Sequence, residues 1–167
     1  MADQKWIVEA KAQIGVEEVK DKAKIIGWVK AIGPKWFADQ FNPTMSSGAG
    51  PWCGCFAAHC INAAGLAFPE NYFRAGDWES WGQKLAKPVA GCVVTFTREG
   101  GGHVGFVLGV TPNGSLVVLG GNQGNRCSVE TMSTAKASAY RWPAGVAIPT
   151  EAAPVLAGNY SVNKTQA

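Results

Sequence analysis

The chain has 167 residues, 47% of them hydrophobic and 16% charged, with a formal net charge of +3. That length fits one domain with a real core, and the composition excludes a disordered chain. The lysines and arginines are scattered without a run of five or six, which excludes a nucleic-acid footprint.

The opening third reads as helix. Trp6, Ile7, Ala10 and Ile14 fall on one face at helical spacing, and "GVEEVKDKAKIIGWVKAIG" continues the pattern, with Gly15, Gly27 and Gly33-Pro34 as stops. Charges interrupt this stretch throughout, so it does not read as a secretory signal, and no run of 18 apolar residues offers a membrane span. The expectation is a protein synthesised in the cytoplasm without a signal peptide and without stable membrane insertion. "FNPTMSSGAGP", residues 41 to 51, is a loop by composition. Pro51 and Trp52 then lead into "CGCFAAHCINAAG", an apolar segment of helical length that ends at Gly65.

Residues 66 to 87 hold clustered aromatics, Phe68, Tyr72-Phe73, Trp78 and Trp81. From Pro88 the pattern changes to strands: "VAGCVVTFTR", "HVGFVLGV", "SLVVLGG", "RCSVETM" and "ASAYRW". The "TPNG" between the second and third carries an Asn-Gly hairpin signal. Helices followed by short antiparallel strands predict an α+β fold. One domain is expected over residues 1–149, with a peripheral or disordered tail over 150–167.

Five cysteines cannot all pair internally, which favours thiols. Three of them, with His59, fall between residues 53 and 60. The Cys53-Gly54-Cys55 spacing is one residue short of a thioredoxin-type motif and lacks the βαβ context that motif needs. A structural zinc site would show paired ligand spacings, whereas Cys92 and Cys127 stand alone in strands. Cys55 and Cys60 read as small hydrophobes of a packed helix, and His59 as a helix-surface or satisfied core histidine. Cys53 is different: at a helix N-terminus, unpaired N–H groups and the dipole favour its thiolate. Of the two histidines, His59 lies too far along the same helix, which leaves His103 as the base. Hairpin geometry puts His103 beside the region near residue 120, where Asn122 could hold the ring, or could simply be a turn residue.

"PWCGCFAAHCINAAG", "WESWG", "GCVVTFTREGGGHVGFVLG" and "VVLGGNQGN", in that order, resemble the NlpC/P60 and CHAP-type cysteine peptidases, over roughly residues 5 to 142. The resemblance implies a papain-like α+β fold, with a nucleophile helix packed on an antiparallel sheet. It implies Cys53 as nucleophile, His103 as base and Asn122 as the polar third residue. Two departures stand out. CHAP-type members often carry a glutamate where this chain has Gly120, and relatives tend to have Gly-Asp where it has Gly91-Cys92.

The activity so implied is cleavage of an amide bond in the peptidoglycan stem peptide through a thioester, as an endopeptidase or an N-acetylmuramoyl-L-alanine amidase. A phage lysin or related wall-degrading protein is expected, reaching the wall by a holin, a secretion apparatus or a virion. No metal or cofactor is expected, so a chelator should not inhibit. Trp52, Asn42 and Gln123 are candidate substrate contacts, with Trp78 and Trp81 either in the groove or packing the core. The alternatives are a thiol acyltransferase on the same scaffold and a non-catalytic wall-binding or structural domain.

Overall fold

Apolar spacing decides where the helices form, and glycine decides where the first one ends. In the computed structural model, which describes residues 2–98, 101–158 and 160–162, α1 (Lys5–Ala12) buries Trp6, Ile7 and Ala10. Ile14, expected on the same face, lies beyond the helix and is half exposed. The chain leaves the helix because Gly15 adopts φ 99° and donates its N–H to Cys127, while Val16 accepts from the Cys127 N–H. Helix α2 (Lys22–Ile32) buries Ile25, Trp28 and Val29. Gly27, expected as a stop, sits inside it with open space around its Cα, at a cost of about 1 kcal/mol that packing on the other face offsets. After the short α3 (Lys35–Ala38), α4 (Cys53–Ala63) is apolar nearly all round, and eight of its residues are buried.

The five expected strands form: β2 (Val93–Arg98), β3 (Gly101–Val110), β4 (Leu116–Gly120), β5 (Ser128–Met132) and β6 (Ala139–Trp142). Two more were too short to carry a period, β1 (Gln83–Leu85) and β7 (Ser161–Val162). The sheet order is β1-β6-β2-β3-β4-β5-β7, antiparallel except for β7, which lies parallel to β5. Central β4 is buried along its whole length, as its Leu-Val-Val-Leu run requires. Helix α4 packs against α1, α2 and β3, so the helix that begins at Cys53 is the centre of the core. The fold is α+β with the papain-like arrangement. In the C-terminal stretch, Val110 donates to Pro154 and accepts from Leu156, tying residues 154–156 to the end of β3.

Gly91-Cys92 is braced without a carboxylate. The Gly91 N–H bonds the Val107 carbonyl at 2.7 Å, and the Trp6 indole donates to the Gly91 carbonyl at 2.8 Å. Cys92 itself is fully buried. Burial pushes the thiols of Cys92 and Cys127 up to about 12, and those of Cys55 and Cys60 well above the usual range. Folding thus keeps these thiols protonated where the unfolded chain would ionise them. Their contribution to stability is complete below the ordinary thiol value of 9.0 and declines as pH rises toward about 12. The expected loss is about 1.4 kcal/mol per pH unit for each thiol. Urea denaturation at a series of pH values should show a flat plateau near neutrality and a steep fall in the alkaline range.

Candidate active site

Cys53 is the first residue of α4, and the intrahelical ladder begins with the Phe56 N–H bonding the Trp52 carbonyl. The N–H groups of this first turn therefore point out of the helix end, where they favour a negative charge on sulfur. No side chain caps the turn. Gly54 lets a second segment press against it: a Cβ on Gly54 would stand 2.0 Å from the Tyr72 carbonyl oxygen. That carbonyl is also held by the Trp78 indole at 2.9 Å. Gly54→Ala must push residues 72–73 off the helix, and a loss of about 2 kcal/mol or more is expected in a thermal melt.

Cys53, His103 and Asn122 all line one cleft of about 560 Å³, together with the loop residues Ser46, Ser47 and Gly48. A second cavity, of about 480 Å³ between the start of α1 and residues 149–160, has no cysteine or histidine among its described lining residues. All five cysteines are thiols rather than disulfides, and Cys53 alone among them reaches the cleft. The other four are fully buried. Iodoacetamide applied to the native protein should therefore alkylate Cys53 first and the rest only on unfolding, as peptide mapping would show.

His103 pairs across the ladder with Phe96 on β2 and is 1% exposed. Its Nε2 lies 2.9 Å from Oε1 of Gln123, not from Asn122. The Gln123 amide nitrogen donates to the carbonyls of Val118 at 3.2 Å and Ser128 at 2.8 Å. Those carbonyls can only accept, so the amide orientation is fixed and its oxygen must face the ring. The His103 Nε2 is thus the protonated nitrogen, and in the neutral ring Nδ1 carries the lone pair.

Asn122, the expected third residue, stands in a tight turn at the cleft. Asn122 has φ 57°, a left-handed conformation that asparagine tolerates. The reversal sends Gln123 back beneath the end of β4, where its amide meets His103, while Asn122 lines the cleft. Gly120 supplies the room: a Cβ there would lie 2.4 Å from Gln123 Oε1 and 3.3 Å from His103 Nε2. The amide oxygen of Gln123 fills the volume that a side chain at residue 120 would enter.

The other candidate contacts are also relocated. Trp52 is fully buried, with its indole N–H on Glu18 at 3.1 Å and its ring against Gly121, so it forms core rather than groove. Asn42 does not line the cleft; its Oδ1 accepts from the Thr44 N–H and hydroxyl and shapes the loop whose serines do. Trp78 and Trp81 stack edge to face at 5.0 Å and donate to backbone carbonyls, as packing residues. His59 lies 2.6 Å from Glu9 and stacks on Trp28, a satisfied histidine.

Residues 45–122 match the family model of the CHAP domain, a stretch that begins at the cleft loop and contains Cys53, His103 and Asn122. Over that stretch the chain is similar to the CHAP family. CHAP domains are in general hydrolytic enzymes of the cysteine peptidase and amidase type that act on peptidoglycan. The CHAP match stops one residue before Gln123. No curated protein and no solved structure matches the chain. No helix among the described residues is long and apolar enough to cross a membrane.

Proposed function

We propose that this protein hydrolyses an amide bond of the peptidoglycan stem peptide, as an endopeptidase or an N-acetylmuramoyl-L-alanine amidase, with Cys53 as nucleophile, His103 as base and Gln123 as the positioning residue. The observation that carries the reading is one cleft lined both by a helix-leading cysteine and by a histidine whose Nε2 is engaged by Gln123.

In this reading Nδ1 of His103 takes the Cys53 proton, and the helix end stabilises the thiolate. Sulfur attacks the stem-peptide carbonyl, and the N–H of Cys53 faces the developing oxyanion. Donors of this kind contribute about 3 kcal/mol each. The imidazolium returns its proton to the leaving amine as the C–N bond breaks. Water, deprotonated by His103, then opens the thioester, and the proton passes back to sulfur. Gln123 keeps Nε2 protonated throughout and needs no charge of its own.

Delivery to a cell wall as a phage lysin, through a holin, a secretion apparatus or a virion, fits this chemistry. The direct assay is release of free amino groups from purified peptidoglycan. The wild type should release them, Cys53→Ala should not, and equal release by both would exclude the thioester route.

A further inference from the structure

The cleft also carries a polarity that catalysis does not use. Apart from His103, Arg74 is the only charged side chain among the described residues lining it; the rest are small, apolar or hydroxyl- and amide-bearing. Arg74 makes no ion pair with a described residue. Nor is it on a loose loop. Its N–H bonds the Asn71 carbonyl at 3.0 Å and its carbonyl accepts from Asp77 at 3.1 Å. Two residues earlier, Tyr72 is locked against Gly54 beside the nucleophile. The guanidinium lies 6.0 Å from the Phe73 ring centroid, within cation–π reach, and Phe73 itself lines the cleft.

A guanidinium held at the cleft wall, with no carboxylate among the described residues lining the same space, discriminates by sign. It repels cationic groups and offers a planar fork to a carboxylate, which binds it bidentately. We propose that Arg74 is a specificity-determining residue that binds a free carboxylate of the substrate flanking the scissile amide. The preferred substrate class is then an acidic stem peptide rather than its amidated counterpart. This rests on the hydrolase reading above and deepens it.

The test separates binding from hydrolysis. Cys53→Ala protein is titrated calorimetrically with synthetic N-acetylmuramoyl tetrapeptides in which each free carboxylate is in turn replaced by a carboxamide. One replacement should weaken binding about tenfold, as loss of a charge-assisted hydrogen bond in a partly solvated site does. The difference should shrink at high salt. In Cys53→Ala/Arg74→Gln it should vanish, with the carboxamide bound as before, and Arg74→Lys should restore part of it. Absent binding, equal binding of every peptide, or discrimination that survives Arg74→Gln would each overturn the proposal. Peptidoglycan hydrolysis by wild type without carboxylate discrimination would remove the role of Arg74 and leave the hydrolase intact. Discrimination without hydrolysis would do the reverse.

Discussion

Cys53→Ala is expected to lower peptidoglycan hydrolysis by at least about 10⁴-fold, since removal of a covalent nucleophile leaves only binding and oxyanion stabilisation. Cys53→Ser should lose nearly as much, because a serine hydroxyl is a far weaker acid than a thiol and so a far poorer source of the attacking anion. Neither change should unfold the chain. The side chain is small, and α4 is held by Phe56, Ala57, Ala58 and Ile61 in the core. A melting temperature close to wild type together with lost turnover is the expected pair of results. Activity retained in Cys53→Ala would place the nucleophile elsewhere, and no other cysteine lines the cleft.

Gly120→Ala and Gln123→Ala are expected to damage the same property by different routes. The first puts a methyl group 2.4 Å from Gln123 Oε1 and drives the amide away; the second removes it. Either way the ring of His103 loses the partner that fixes its orientation and its protonated nitrogen. Misplacement of about 1 Å at a reacting group can cost about 10²-fold, and that is the expected fall in kcat for each variant. The double variant should be no slower than either single one, because both act on a single contact. Gly120→Ala should also become nearly harmless in a Gln123→Ala background. Gln123→Glu is expected to fail as a substitute: its second oxygen would face the Val118 and Ser128 carbonyls that now accept from the amide. A purely structural role for Gln123 would show as a lower melting temperature with kcat intact. A positioning role shows as lost kcat with little change in KM and an altered pH–rate profile.

The architecture around Cys53 was legible because local chemistry settles it. Pro51, the apolar run and Gly65 bound α4 closely enough to place Cys53 at its head, and β3–β4 hairpin geometry brings His103 beside the end of β4. Gln123 was legible only as a weak substrate contact. Its role depends on a left-handed Asn122 and on space left by Gly120, and neither shows in a hydrophobic pattern. A signal was present all the same. Gly120 and Gly121 stand at a strand end without positive φ, so they serve space rather than conformation. Gly120 admits Gln123, and Gly121 admits Phe56 and Trp52. Trp52 misled for the opposite reason. Adjacency to Cys53 in sequence suggests the cleft, but the first turn of a helix sends successive side chains in different directions, and the indole goes inward.

The central claim, that Cys53 cleaves a stem-peptide amide, is tested most directly by mass spectrometry of purified peptidoglycan digested in parallel with wild type and Cys53→Ala. The prediction is a set of new stem-peptide ends with wild type only, each shifted by the mass of one water, whose identities distinguish an endopeptidase from an amidase. Intact peptidoglycan from both proteins, folded and offered walls of several chemotypes, would contradict it.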